Sequence, residues 1–216
     1  MMIKILSKEN SLFNQYIAEI RDEKIQKDSL RFRKNLERVA EIFAYEISKE
    51  LEYENKAVKT PLGIANVPVL KAQPVLATIL RAGLPMHFGL LNYFDKAENA
   101  FISAYRNYEK DGTFNIQFQH LSCPPIDNKV LIISDPMLAT GASMVLSYKT
   151  LIEKGIPEHT HIVTIIVSTK GIEHLTKNLS MDKITIWAGV IDKELTSKAY
   201  IVPGLGDAGD LAFGDK

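Results

Sequence analysis

Apolar and polar positions follow two rhythms along the chain, one helical and one strand-like, and the changes between them mark most of its elements. Leu12, Phe13, Tyr16, Ile17 and Ile20 recur at steps of three and four behind Ser11, which predicts a helix with a serine cap. Phe32, Leu36, Val39, Phe43, Ile47 and Leu51 share one face of a second predicted helix over residues 29–51. Tyr45 reads there as packing, and Arg31, Arg33, Lys34 and Arg38 as a solvated face. Residues 57–70, rich in Val, Pro and Gly, predict short edge strands with turns. Residues 75–80 predict a buried strand that ends at Arg81-Ala82-Gly83-Leu84-Pro85 and leads into an apolar helix over 86–93. His87 reads as a packed or capping residue of that helix.

A further strand is predicted over 100–104, and Asp111-Gly112 signals a turn. Beyond it Phe114, Ile116, Phe118 and His120 alternate with Asn115, Gln117 and Gln119, the pattern of a half-exposed strand. Together these make a hairpin arm over 100–121, suited either to a flap over a site or to a subunit interface. Strands over 161–167 and 184–190 flank a helix over 169–179, with Trp187 in the core or at an interface. Glu158-His159-Thr160-His161 holds two histidines with no third ligand nearby, so it reads as a solvent-facing turn and not a metal site.

The centre of the pattern lies at residues 129–143. Val130, Leu131, Ile132 and Ile133 form a continuous apolar run, the mark of a parallel strand covered on both faces. Pro136 ends it, and a helical spacing starts near Gly141 with Met144, Val145, Tyr148, Leu151 and Ile152. A helix opening after a loop of small residues presents unpaired amides at its positive end and suits a phosphate. Thr140 and Ser143 add hydroxyl donors. Asp135, at the carboxyl end of the strand, is placed to accept hydrogen bonds from sugar hydroxyls or to help hold a cation. The loop lacks the Gly-Lys-Ser/Thr of a Walker loop and the three-glycine spacing of a dinucleotide fingerprint. Arg81, also at a strand's carboxyl end, offers a guanidinium that matches phosphate oxygens in pairs. The stretch 200–214 packs Gly204, Gly206, Gly209 and Gly214 with Pro203, Asp207 and Asp210 into one segment. Glycine there lets peptide groups approach a flat polar ring.

The chain has 216 residues, 46% of them apolar and 24% charged, which suits one α/β domain with a full core spanning 1–216. Lys plus Arg and Asp plus Glu both number 26. This balance gives no sign of nucleic-acid or membrane partners. Cys123 is the single cysteine, read as a small half-buried residue. No apolar run approaches membrane-spanning length and the first residues do not read as a signal peptide, so a cytoplasmic location is expected.

Four separated stretches carry a resemblance. Asp135-Pro136-Met137-Leu138-Ala139-Thr140-Gly141-Ala142-Ser143 is similar to the phosphoribosyl-pyrophosphate loop of the uracil phosphoribosyltransferases. Residues 79–84 are similar to their pyrophosphate loop, and Tyr105-Arg106 to the site of their second substrate arginine. Residues 200–210 are similar, almost residue for residue, to their uracil-binding loop. The likeness covers most of the chain from about Ala44 onward. Ala142 and Pro85 stand where the family often has Gly, and Leu211 where it has a basic residue.

The resemblance implies an open, mostly parallel central sheet flanked by helices, the phosphoribosyltransferase-like fold. It would carry a helical N-terminal extension (1–55), the arm (100–121) and a uracil-binding hood (192–216). It further implies transfer of phosphoribose from 5-phospho-α-D-ribose 1-diphosphate (PRPP) to uracil, giving UMP and diphosphate, with Mg²⁺. By the same resemblance PRPP is bound by Arg81, Arg106, Asp207 and each residue from Asp135 to Ser143. Uracil is bound by Ile201, Gly206, Asp207 and Ala208, through the backbone at Ile201, Gly206 and Ala208. Arg81 and Asp207 are the catalytic pair, with Asp207 an indirect Mg²⁺ ligand. A homodimer or higher homo-oligomer and a GTP effector are the implied partners. The competing expectation is an RNA-binding pyrimidine-operon regulator on the same fold, which needs a concentrated basic face.

Overall fold

The computed structural model describes residues 2–108 and 114–215, with the side chains of 104–119 left out of the description. The chain opens with strand β1 (Met2–Ile5), helix α1 (Leu12–Arg21) and helix α2 (Ser29–Ser48). Strands β2 (Tyr53–Thr60) and β3 (Gly63–Leu70) form a largely exposed antiparallel hairpin of their own. The alternating part begins with β4 (Val75–Leu80), α3 (Leu84–Tyr93), β5 (Glu98–Tyr108) and β6 (Phe114–Ser122). It continues through β7 (Val130–Ser134), a two-residue β8 (Met137–Leu138), α4 (Ala142–Ile152), β9 (His159–Ser168), α5 (Thr169–Asn178) and β10 (Ile184–Asp192). Two short strands, β11 (Glu194–Leu195) and β12 (Ile201–Val202), and helix α6 (Ala208–Phe213) close the chain.

The main sheet runs β1-β10-β9-β7-β4-β5-β6, with β8 beside β9. Its pairs are parallel except β5–β6. Alternate residues of each strand feed opposite faces. Leu76, Ile132, Val163 and Trp187 pack under α1, α2 and α3, while Val75, Ile133, Ile162 and Ile186 pack under α4 and α5. From β4 the chain proceeds outward to β5, and from β7 it proceeds the other way to β9 and β10. The strand order therefore reverses between β4 and β7, and the crevice beyond their carboxyl ends is where such sheets bind ligands.

Several expectations need correction. The sequence reading omitted β1, a four-residue edge strand too short for its alternation to register. The second helix stops at Ser48, short of Leu51, and Asp28 caps it by accepting from the Arg31 amide. Tyr45 is exposed, under the Lys49 ammonium, and is not core packing. Cys123 is half-buried as expected, and burial raises its thiol pKa.

The segment 158–161 is no solvent-facing turn. His159, Thr160 and His161 belong to β9, and Nδ1 of buried His161 accepts from Nε1 of Trp187 at 2.9 Å. Protonation would put a hydrogen on Nδ1, the nitrogen that must accept. Burial first, then the neighbouring His159 and Lys4, push the His161 pKa from 6.5 down to about 3. Below pH 6.5 the unfolded chain binds a proton that the folded chain refuses. Stability is thus expected to fall as pH drops from 6.5 toward 3, by up to about 1.4 kcal/mol per pH unit from this group. His87 and His159, also lowered by burial, act in the same direction. Urea midpoints followed down from neutral pH should show the fall, and His161→Gln should make it shallower.

Candidate active site

The carboxyl ends of β4 and β7, the start of α4 and the segment before α6 surround one cleft of about 270 Å³. Its floor comes from the β7–α4 loop, and tertiary contacts hold that loop in shape. The Asp135 amide donates to the carbonyl of Val163, and the Pro136 carbonyl accepts from the amides of Ile165 and Ile166. Met137 and Leu138 then run alongside Ile166 and Val167 as β8. Ser168 donates its hydroxyl to the Ala139 carbonyl and accepts from the Gly171 amide at 2.8 Å. The loop is thus laid along β9 before it turns into α4.

Gly141 makes that turn with φ +80°, a left-handed conformation that favours glycine. A Cβ there would sit 2.8 Å from the Gly171 carbonyl oxygen. Ala142, the first residue of α4, is outside the left-handed region, so its methyl is tolerated. Its amide faces Thr140 Oγ1 at 3.4 Å. Of the nine loop residues, Asp135, Met137, Leu138, Ala139, Thr140, Gly141 and Ser143 line the cleft. Pro136 and Ala142 do not; the first turns its carbonyl to β9 and the second begins the helix.

The opposite wall is the C-terminal segment. It is not one continuous loop as the sequence suggested, because a strand pair, β11–β12, and helix α6 interrupt it. Ala199, Tyr200, Gly206, Asp207, Ala208 and Gly209 line the cleft. Ile201 is buried behind them. Asp207 caps α6, its Oδ1 accepting from the amides of Gly209 and Asp210 at 2.9 and 3.1 Å. Its carboxylate is thereby oriented while it borders the cleft.

A buried link secures the start of this segment. Arg21 Nη2 donates to Asp192 Oδ1 at 2.9 Å, and the other Asp192 oxygen accepts from the Gly204 amide at 2.9 Å. Asp192 is 6% exposed. Gly204 has φ +58°, and a Cβ there would lie 2.1 Å from the Ile201 carbonyl oxygen. Arg33, expected on a solvated face, instead donates Nη1 to the Ala212 carbonyl at 2.6 Å and so anchors the far end of α6.

Arg81 stands between the two walls. Its Nη2 donates to Asp210 Oδ1 at 3.2 Å and to the Gly214 carbonyl at 3.1 Å, and its Nε is buried without a partner. Leu80, Ala82, Met144, Ala199 and Tyr200 also line the cleft and were not singled out as site residues; they only neighbour the motifs that were. Arg106 lies in β5, and its side chain is outside those described. Among the described residues no histidine lines the cleft. His87 is buried against Phe101, its Nε2 2.8 Å from Asn99 Oδ1.

The arrangement joins a helix N-terminus suited to a phosphate, a carboxylate at the start of the same loop, a cation, and a glycine-bearing wall. Comparison with known proteins agrees with it. Residues 7–215 match the family model described as uracil phosphoribosyltransferase. A Porphyromonas gingivalis protein named uracil phosphoribosyltransferase is 54% identical over 211 residues, covering 98% of this chain and 97% of its own. A Pyrococcus furiosus protein of the same name is 35% identical over 204 residues, covering 93% and 85%. The solved structure of the AQ2163 protein from Aquifex aeolicus superposes with a TM-score of 0.87 at 28% identity, covering 99% of this chain and 98% of that one. With a family match over nearly its whole length and a relative more than half identical over almost all of both chains, the chain belongs to the uracil phosphoribosyltransferase family.

Proposed function

We propose that the protein transfers the 5-phosphoribosyl group of PRPP to uracil, forming UMP and diphosphate. The observation that carries this reading is the shared cleft. Thr140, Gly141 and Ser143 at the start of α4 and the residues from Gly206 to Gly209 at the start of α6 line one cavity, together with Asp135 and Arg81. In this reading Thr140, Gly141, Ala142 and Ser143 anchor the 5-phosphate, and Asp135 accepts from the ribose hydroxyls. Arg81 and Arg106 grip the diphosphate. Uracil lies against Gly206 and Ala208, with the Ile201 backbone behind. A row of fixed backbone donors and acceptors favours uracil over cytosine, whose donor and acceptor positions differ.

The bond from uracil N1 to the anomeric carbon forms as the bond from that carbon to diphosphate breaks. The electron pair leaves with the diphosphate, and the N1 proton passes to solvent. In this reading rate comes from positioning and from cationic stabilisation of the leaving group. The donor set fits Mg²⁺. Asp135 and Asp207 border the cleft, yet no three acidic, histidine or cysteine residues cluster as a closed metal cage among the described residues. A cation that keeps its waters and takes substrate phosphate oxygens needs only one or two carboxylates. When bound, Mg²⁺ would neutralise charge on the diphosphate.

We further propose a homodimer or larger assembly, with exposed Leu62 and Ile64 on the β2–β3 hairpin among the apolar surface it would cover. A GTP effector and a cytoplasmic location complete the reading. No helix among the described residues is long and apolar enough to cross a membrane.

The test is a base panel: the protein with PRPP, Mg²⁺, and uracil, cytosine, hypoxanthine or adenine in turn. Diphosphate release with uracil alone is expected. Equal release with cytosine would overturn the assignment of the C-terminal segment.

A further inference from the structure

We propose that Asp210 is a positioning residue acting through Arg81: it holds the guanidinium in the free enzyme and yields it to the diphosphate group of the donor substrate. The proposal rests on the reading of Arg81 as a diphosphate ligand. Nη2 carries two hydrogens, and both are engaged, one by Asp210 Oδ1 at 3.2 Å and one by the Gly214 carbonyl at 3.1 Å. A guanidinium grips a phosphate through paired hydrogen bonds along one edge. The side edge pairs Nε with Nη2 and the end edge pairs Nη1 with Nη2, so either grip draws on Nη2. A two-point hold on diphosphate therefore displaces Asp210, Gly214 or both.

Two features favour the exchange. Nε is buried with no partner, so the side edge is only half used and a phosphate oxygen would complete it. The Arg81 and Asp210 side chains are 39% and 37% exposed, and an ion pair so open to water is weak and gives way to a multiply charged anion.

The exchange reaches the base-reading wall. Asp210 lies within α6 and Gly214 directly follows it, while Gly206 to Gly209, at the start of that helix, line the cleft. Arrival of diphosphate displaces at least one of the ties from Arg81 to α6 and its end, and leaves those from Arg33 to Ala212 and from Asp207 within the helix. Donor binding and base binding are thereby coupled through α6.

The test is calorimetric titration of the full chain with inorganic diphosphate at fixed Mg²⁺, comparing wild type with Asp210→Asn, Asp210→Glu and Arg81→Ala. Asp210→Asn is expected to bind diphosphate about two- to fivefold tighter. Asp210→Glu should stay near wild type, and Arg81→Ala should bind about tenfold or more weakly. In steady-state assays Asp210→Asn should lower KM for PRPP, whereas loss of a merely structural contact would raise it. If Arg81→Ala weakens binding but Asp210→Asn does not tighten it, the positioning role is overturned and the Arg81 reading stands. An Asp210→Glu variant as tight as Asp210→Asn overturns it too, because the carboxylate would not be the competitor. If Arg81→Ala binds like wild type, the Arg81 reading itself falls, and the inference with it.

Discussion

Arg81→Ala is expected to lower kcat by about a hundred- to a thousandfold, the loss typical when one preorganised donor to a developing negative charge is removed. Charge on the diphosphate grows as its bond to the anomeric carbon stretches, so the guanidinium matters more in the transition state than in the ground state. Uracil affinity should change only by the few-fold that an exposed ion pair permits, since the tie from Arg81 to Asp210 is of that kind. Single-turnover rates and equilibrium uracil binding would separate the two quantities. A variant with wild-type turnover would remove Arg81 from the chemistry.

Gly141→Ala is expected to reduce kcat/KM for PRPP by about a hundredfold, the scale on which a misplacement of about 1 Å penalises a positioned group. Two causes combine. The residue sits at φ +80°, where an L side chain costs about 1–2 kcal/mol. Its new Cβ would also lie 2.8 Å from the Gly171 carbonyl oxygen, and that contact is with backbone that cannot rotate away. Relief requires the loop to lift from α5 and the start of α4 to shift, which moves the amides proposed to hold the 5-phosphate. A thermal melt would confirm that the protein remains folded, and diphosphate binding through Arg81 should persist while donor KM rises. Unchanged KM for PRPP would mean that the phosphate is held elsewhere.

These two residues show how unevenly the site could be read from the chain. Gly141 announced itself, because an apolar run, a proline, small residues and a helical spacing lie side by side within fifteen positions and their chemistry is local. Arg81 was recognisable as a cation at a strand end, but its engagement by Asp210 was not, since the two are 129 residues apart. Arg33 was assigned to solvent by the same helical period that correctly placed Phe32 and Leu36 inside. Periodicity tells which face a residue occupies, not what the chain later lays against that face, and here α6 returns to cover it. His161 failed for a related reason: two histidines beside a glutamate look polar in sequence, and only β10 running alongside β9 supplies the Trp187 donor that makes a buried imidazole acceptable.

The sequence by itself determined the strands β4, β7, β9 and β10, the helices that follow the first three, the phosphate-type loop and the family likeness. Each of these is written in contiguous residues whose spacing or turn chemistry acts over a few positions. The tertiary structure alone decided that the ends of β4 and β7 flank the reversal of strand order, that α6 closes the cleft, and that Arg21, Arg33 and Arg81 all brace the C-terminal segment. Those contacts depend on which strands become neighbours. Burial of the two sheet faces settles that choice over the whole chain, and no local pattern encodes it.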